Sequence, residues 1–527
     1  MTMDPRAVMR RAEQLKAERQ NHESHWEEVA QHLLPHRSFT STPTPGTKRR
    51  EFIFNTMPVA ACEQLAAGLH GMLTGPSVRW FALRPLPDAA PSKAAKVWFD
   101  QATDVMYATF QSSRAGFATA LHENYTELAA FGNCVHWIAD RRRAGLTFRA
   151  VPIQQSYWAE NADGRIDTLY RCFPLPARMV LQTWPDTCPP EIARQAEARP
   201  DAPVDIIHAV EPSRRAGTWD GCYVTRGQWL EAESYREFPY ACARWSREPG
   251  DIYGVGPGMN ALPDIKMLNM MERTDLRLRA RYADPPRFLP HDGFLSEPNF
   301  NPGAFNYYDS ATWRSENRVF TDQPGRPDLI ERKIEQVQDR LAYTFYTAWL
   351  RLPQQPNMTA TEVLQRRDEY LRLLGPFVTR LTDELLNPII ERTFAILLRN
   401  FRFPPPPPEV RGWTVEYMGP LAQAQRAQQA ETVMRVLAAG QTLLQADPAV
   451  LQNLDANEAF RFVADRVGAP AALVRTREEV EQLRAQQQQM QQDAAMAATL
   501  RQGAGAAKDG AQALATVAGL QQGGNVP

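Results

Sequence analysis

The residues best suited to metal chemistry in this sequence are two pairs of histidines near its start. His22 and His25 are three positions apart, and His32 and His36 are four apart. One face of a helix could present such a pair to a metal ion. No Cys, Asp or third His follows at ligand spacing, and the segment reads as a charged helical surface. We therefore expect solvated surface histidines, no metal site and no cofactor.

Two further patterns have a functional and a structural interpretation. Cys134 and His136 could pair as nucleophile and base, but they stand in a mixed apolar run that is better explained as a buried strand. Gly254, Gly256 and Gly258 superficially resemble a dinucleotide-binding loop. However, a proline lies inside that triplet and the third spacing is missing, so a flexible break before a helix is the preferred interpretation.

The sequence contains no phosphate-binding P-loop, zinc-protease, serine-hydrolase or EF-hand motif, and we do not predict an enzyme. An enzyme built in the mixed region between Val135 and Trp245 is the remaining catalytic alternative. Its substrate would be bound by tryptophans, which are better explained as core and interface anchors: Trp158, Trp184, Trp219 and Trp229.

Composition narrows the class of protein. The 527 residues hold 59 Lys and Arg against 60 Asp and Glu, a net charge of −1, which argues against a protein that grips nucleic acid tightly. Apolar runs fall well short of the roughly 20 residues of a membrane span. The charged N-terminus has no signal-peptide pattern, and the six cysteines are scattered without a C-x-x-C pair. These features predict a soluble intracellular protein with reduced thiols.

Hydrophobic periodicity predicts a mainly helical α+β chain. Helices are expected over four early segments: Pro5–His32, Val59–Leu73, Ala94–Phe110 and Phe117–Phe131. Short antiparallel strands follow: Leu146–Ile153, Arg165–Phe173, Met179–Trp184, Val204–Val210 and Tyr235–Trp245. Later helices are predicted over Met259–Ala283 and Ile330–Leu352, and from Leu364 onward with interruptions at Pro376 and Pro388, before a strand over Trp413–Tyr417.

The helix predicted over Met259–Ala283 separates its charges by sign. At about 100° per residue, four basic residues fall within roughly 80° of one another. The acidic residues lie nearly opposite. A helix on one core needs a single polar face, so two faces of opposite sign would suit side-by-side packing of identical copies. A chance arrangement on a solvated helix is the alternative. The residues are Lys266, Arg273, Arg277 and Arg281 on one face, and Asp264, Glu272 and Asp275 on the other.

A polar loop between two long helices is the other candidate site. Leu352–Thr359 holds two prolines, and the segment presents Arg351, Gln354, Gln355 and Asn357. Such a loop is adaptable and only weakly charged, and would suit contact with a moving ligand; a bare turn is the alternative.

Several of these segments resemble a known family. Tyr253–Asn269 and Met358–Arg366 resemble motifs of the head-to-tail connector, or portal, proteins of short-tailed, T7-like bacteriophages. Supporting matches are Phe52–Thr56, Ala61–Thr74 and Leu385–Ile390, in the expected order across roughly residues 50 to 420. The Gln-rich C-terminal region shows no such motif.

The resemblance implies a ring, expected to be a dodecamer, at one capsid vertex of the virion, assembled in the host cytoplasm. Double-stranded DNA would pass through it during packaging and ejection. Its other partners would be terminase, a tail adaptor, and the capsid and scaffolding proteins. The resemblance implies no binding to a membrane. The ATPase would be the separate terminase. An assembly ring or scaffold without DNA traffic is the alternative function.

The resemblance also divides the chain. Residues 1–250 and 360–420 would form the wing, 251–283 and 329–351 the two stem helices, 284–328 the clip, 352–359 the tunnel loop and 421–527 the crown. The charged residues of the first stem helix would face a neighbouring subunit or the channel. Clip contacts with partners would involve Arg287, Phe294, Tyr307 and Tyr308.

Overall fold

The structure is a computed structural model. It describes residues 3–37, 53–76, 78–86, 92–141, 145–291, 297, 299–309, 320–321, 327–347, 374–408, 410, 412–418, 429–438, 455–467, 473–475 and 478–492. The chain forms two compact units. The first comprises Met1–Leu83, Gln101–Pro405 and Val415–Ala422, and the second comprises Arg84–Asp100, Pro406–Thr414 and Gln423–Pro527. Helices and sheets are both extensive, which confirms the α+β class. Among the described residues, every helix is too short or too polar to cross a membrane.

The predicted early helices are all present. Helix α1 begins where the Asp4 carboxylate accepts the Arg6 N–H and Pro5 takes the first helical position. Its loosely spaced apolar residues are buried, and Val8, Ala12 and Leu15 pack on the larger sheet. The bounds are α1 Pro5–Leu33, α2 Met57–Leu73, α3 Lys93–Gln111 and α4 Phe117–Phe131.

Two antiparallel sheets occupy the middle of the first unit, as the alternating pattern predicts. Their strands are β2 Asn133–Arg141, β3 Gly145–Val151, β4 Ser156–Glu160, β5 Ile166–Pro176, β6 Pro203–Pro212, β7 Trp219–Thr225, β8 Gln228–Tyr235 and β9 Tyr240–Arg244. One sheet has the order β3-β2-β9, and the other is a five-stranded meander in sequence order from β4 to β8. A 3₁₀ turn, Ile153–Gln155, precedes β4.

The strand predicted over Met179–Trp184 is wrong. This segment is helix α5, Ala177–Thr183, which packs beside α6, Pro190–Ala198. Ala177 and Val180 stand three apart and are both fully buried, so the helical register places them on one face. A short apolar run fits either period, and here the tertiary contacts select the helix.

Two long helices follow the sheets. Helix α7 spans Pro257–Ala283 and α8 spans Pro327–Thr344. Between them lie β10 Arg287–His291, β11 Phe305–Asp309 and β12 Phe320–Thr321, in the order β11-β10-β12. Helix α8 ends earlier than its apolar stripe predicts, because Tyr346 adopts a left-handed φ of 57°. The aromatic and β-branched residues around it favour helix poorly.

The two later prolines act as predicted. Pro376 lies in the first turn of α9, Gly375–Leu381, and Pro388 lies in the first turn of α10, Asn387–Arg399. Between these helices Thr382–Leu386 form a π-helical segment. Proline has no N–H to donate to the preceding turn, so a widened turn directly before Pro388 is the expected adjustment. The predicted strand is β13, Trp413–Tyr417, which pairs with β1, Phe81–Pro85.

The second unit includes three described helices beyond residue 428. Its helices are α11 over residues 429–438, α12 Ala456–Val467 and α13 over residues 478–492. Lys93 at the start of α3 forms an ion pair with Glu479 of α13, with 2.9 Å between Nζ and Oε2.

The glycine triplet at the start of α7 is a tight packing contact rather than a flexible break, which corrects the expectation above. A Cβ added to Gly256 would lie 2.5 Å from the Gly132 nitrogen, and one added to Gly258 would lie 2.5 Å from the Ala130 oxygen. Gly254 donates its N–H to the Asn133 side chain at 2.7 Å. The glycines therefore allow the start of α7 to meet the backbone at the end of α4.

We predict that Gly258→Ala lowers stability by about 1–3 kcal/mol, because its methyl group would overlap backbone that cannot move aside. Gly71→Ala is the matched control, since Gly71 is also helical but has nothing within 4 Å of an added Cβ. The control variant should be more stable than wild type by about 0.5–1 kcal/mol, because alanine favours a helix more than glycine does. Thermal unfolding followed by circular dichroism compares the two. Equal effects would contradict the packing role of Gly258.

Candidate functional site

Helix α7 is buried over its first half and exposed over its second. The early residues Leu262, Ile265 and Leu268 are at most 5% exposed and lie where α7 packs against α1 and α4. Beyond Asn269 the pattern reverses, because Met270 is 70% exposed and Tyr282 is 64% exposed. One end of the helix is thus fixed in the core while the other projects a surface.

Asn269 marks the point where this change occurs. Its side-chain oxygen accepts the backbone N–H groups of Phe54 at 2.7 Å and Asn55 at 3.1 Å, and its amide donates to the Ile265 carbonyl at 3.0 Å. Asn55 also donates to Glu272 at 2.6 Å. Two sequence motifs that are far apart in the chain are therefore in direct contact, and one buried amide holds the segment before α2 on α7.

Helix α8 packs against α7 in the opposite direction. Arg340 near the end of α8 binds Asp264 near the start of α7 at 2.8 Å, and Glu331 near the start of α8 lies 3.6 Å from Arg279. The apolar stripe of α8 predicted from the sequence is the buried side of this pair, with Val337 and Leu341 fully buried. The two helices form an antiparallel hairpin.

The acidic residues of α7 all have partners within the same chain. Asp264 binds Arg340, and Glu272 accepts from Asn55. Asp275 is buried and pairs with Arg279 of the same helix at 2.6 Å. The acidic face of α7 thus lies toward its own subunit for much of its length.

The basic face is more open. Lys266 binds Glu28 of α1 at 2.6 Å, but both side chains are largely exposed. Arg273 lies over the Phe54 ring, with 5.7 Å between the guanidinium carbon and the ring centroid, and Arg281 lies at the same distance from Phe300. Arg277 is exposed to solvent. Whether these residues face a neighbouring copy or a channel depends on the assembly, so their role stays a prediction.

The described strands between α7 and α8 display aromatic side chains. Arg287 lies 5.7 Å from the Phe305 ring centroid, and Tyr307 is 45% exposed. Tyr308 belongs to β11, where its backbone pairs with Pro290. Phe294 and the loop residues Arg351, Gln354, Gln355 and Asn357 lie outside the described residues. Their assigned roles also remain predictions.

The histidine and cysteine patterns turn out to be structural. His22 is half-buried and stacks on Trp26, with ring centroids 5.6 Å apart, so it is not the solvated residue expected from sequence. Burial lowers the pKa of both His22 and His32. Cys134 and His136 are fully buried, which raises the pKa of the thiol and lowers that of the imidazole to about 3. Neither group of that pair can act on a substrate from the core.

An ionic cluster that the sequence does not reveal fixes the π-helical segment between α9 and α10 to the smaller sheet. Arg244 of β9 donates to Glu384 in the π-helical segment at 2.7 Å and also pairs with Glu160 of β4. Arg247 binds the other oxygen of Glu160 at 2.7 Å. Separations of 84 and 140 residues leave no local signal for these contacts. Among the described residues, no group of three or more His, Cys, Asp or Glu side chains could hold a metal ion.

The described residues thus form an antiparallel helical hairpin with one buried end and two antiparallel sheets, and an exposed surface lies along the second half of α7. Comparisons with known proteins identify the family. The model of the family described as bacteriophage head to tail connecting protein matches residues 6–474. The probable portal protein of Bordetella phage BPP-1 is 32% identical over 514 residues, covering 93% of this chain and 92% of that protein. The portal protein of Salmonella phage epsilon15 is 26% identical over 525 residues, covering 94% of each.

The chain belongs to the bacteriophage head to tail connecting protein family. The resemblance carried by the sequence motifs is confirmed over nearly the whole chain. Two of those motifs, Tyr253–Asn269 and Phe52–Thr56, meet at Asn269 in the structure.

We predict that Asn269→Leu releases the segment before α2, because Leu has no acceptor for the two N–H groups. Amide hydrogen exchange at Phe54 and Asn55 should accelerate about tenfold or more, the equivalent of about 1.4 kcal/mol. Asn269→Asp is the control, since its carboxylate still accepts both bonds, and exchange there should change less. If both variants exchange at the wild-type rate, Asn269 does not hold this segment.

Proposed function

We propose that this protein is a phage portal: a ring at one capsid vertex through which double-stranded DNA enters and leaves the head. Support comes from family membership together with one structural observation, the half-anchored hairpin of α7 and α8. With 27 residues, α7 is about 40 Å long. A single hairpin cannot surround a duplex, so identical copies standing side by side would build the channel wall.

In this proposal α7 and α8 are the stem helices, residues 284–328 form the clip and 352–359 the tunnel loop. Residues 1–250 and 360–420 form the wing, and 421–527 the crown. The ring would be a dodecamer, and the exposed aromatic side chains around Tyr307 would contact terminase and then the tail adaptor. Capsid and scaffolding proteins would hold the ring at its vertex, after assembly in the host cytoplasm.

The charge balance suits a conduit. Duplex DNA carries one negative charge per about 1.7 Å, so a strongly basic wall would hold the duplex instead of passing it. With a net charge of −1, the chain has no excess of Lys and Arg side chains that could hold the duplex in this way. Several charged residues of α7 already have a partner within the subunit; Asp264, for example, pairs with Arg340.

The ring model predicts that purified protein forms closed annuli and that Arg273→Glu with Arg277→Glu weakens them. Both side chains are exposed, and the reversal would repel any acidic surface that the basic face of α7 meets on the next copy. Arg194→Glu with Arg199→Glu makes the same charge change at exposed positions in and directly after α6 and should leave annuli intact.

Electron microscopy without imposed symmetry, at low and high salt, makes this comparison. A wild-type chain that stays monomeric under every condition would rule out the portal function. Intact annuli with altered DNA retention would instead show that the basic face lines the channel.

The tunnel-loop model predicts a separate effect on DNA movement. Replacing Gln354, Gln355 and Asn357 with Trp should leave rings intact but block genome packaging, because bulky side chains would narrow the path of the duplex. The matched Ala variants remove the polar groups without adding bulk and should package DNA. Encapsidated DNA resistant to nuclease measures the outcome, and normal packaging by the Trp variants would remove this loop from the DNA path.

A further inference from the structure

Helix α8 carries a row of acidic side chains along one flank. Their spacing of three and four residues keeps them within about 80° of one another, at about 100° per residue. This acidic flank lies about 120° around the helix from the buried stripe of α8. Arg332 stands at its edge, and Lys333 lies on the opposite flank. The acidic flank consists of Asp328, Glu331, Glu335 and Asp339, of which the last three are exposed.

The basic face of α7 lies on the side away from α8. Asp264 and Arg279 mark the side of α7 that meets α8, since each forms an ion pair with that helix. Arg273 and Arg277 lie roughly 150–190° around α7 from the middle of that side, and both are exposed. One hairpin therefore presents a basic surface on α7 and a separate acidic surface on α8.

The two sets of charges lie at the same height along the hairpin. The ion pairs of Asp264 and Arg279 with α8 fix the alignment of the two antiparallel helices. Arg273 and Arg277 lie between these pairs along α7, and Glu335 lies between them along α8. Copies related by rotation about an axis along the hairpin keep this height. Each of these arginines would then meet an acidic side chain within about one helical turn, or about 5.4 Å.

An exposed methionine lies among the basic residues of α7. Met270 is 70% exposed and lies between Arg277 and Arg281 around the helix. Methionine and arginine are both enriched where proteins contact one another. Contacts to the phosphates of DNA come instead from basic, hydroxyl and amide groups. The mixture on α7 therefore favours a protein surface over a duplex as its occupant.

We propose that the basic face of α7 in one copy binds the acidic flank of α8 in the next copy, so that the two helices alternate around the ring. The occupant is a second copy of this chain, because the complementary charges lie on two different surfaces of one subunit, as a contact repeated around a ring requires. This inference rests on the ring proposed above and names the surface that its α7 charges meet. Exposed ion pairs add little free energy, so their main effect is on register and orientation.

The first test exchanges the charges across this contact. Glu331→Arg with Glu335→Arg should raise the concentration at which half of the subunits are in rings about tenfold or more at low salt, because like charges then meet. Adding Arg273→Glu and Arg277→Glu to the same chain makes the charges opposite again and should recover most of that loss. High salt should reduce the defect, since it screens exposed charges.

A matched variant separates this recovery from an effect of net charge. Asp186→Arg with Glu197→Arg adds the same positive charge at exposed positions before and within α6. Combined with Arg273→Glu and Arg277→Glu, it should leave the rings weak. The melting temperature of the dilute, unassembled subunit should stay near the wild-type value for every variant, because all of these side chains are exposed.

The second test is a directed crosslink. Chains with Arg277→Cys and chains with Glu331→Cys are co-expressed and treated with a short bismaleimide. Covalent dimers should appear when both variants are present and not with either alone. Arg277→Cys with Lys333→Cys is the control and should give none, because Lys333 lies on the opposite flank of α8.

Three results would contradict one or both proposals. If wild-type rings form, the charge exchange recovers nothing and no crosslink appears, this contact is wrong while the portal function stands. Normal rings with altered DNA retention after reversal of the α7 charges would place the basic face in the channel and also overturn the contact. If wild-type chains form no rings, both proposals fall together.

Discussion

The close approach of the start of α7 to the end of α4 is the constraint on which the rest of the molecule depends. Gly256 and Gly258 bring the two backbones so near that a single methyl group would not fit. This contact fixes where α7 leaves the core, and α7 in turn carries α8, the intervening strands and the segment held by Asn269. A small shift at the glycines would be amplified along a helix of 27 residues.

The two halves of α7 therefore have different roles, because the first is buried and the second is exposed. The first half gains stability from buried residues such as Ile265 and Leu268, so the fold of the subunit does not require the second half to be covered. Exposed apolar residues there, Met270 and Leu276 among them, would be costly in a protein that stays alone. Contact with identical neighbouring subunits would remove these side chains from water.

The sequence predicted the helices well because their signals are local. Pro5 after Asp4 starts α1, and the apolar stripe of α8 spans the whole helix. A short apolar run fits a strand and a helix equally well, and Met179–Trp184 forms a helix because α6 packs beside it. Gly258, Asn269 and Arg244 could not be assigned from spacing, since each acts through residues more than 100 positions away. These contacts are visible only in the tertiary structure.

Charge and apolar contact have different parts in any association of these subunits. Asp264 and Asp275 already have partners in their own chain, so exchanging one exposed partner for another would yield little free energy. Charge would therefore decide which faces meet and in which orientation, since like charges brought together repel. The favourable free energy must come mainly from apolar side chains that the lone subunit leaves in water, such as Leu276, Tyr282 and Phe401. A ring joined in this way can keep a nearly neutral surface and still hold together.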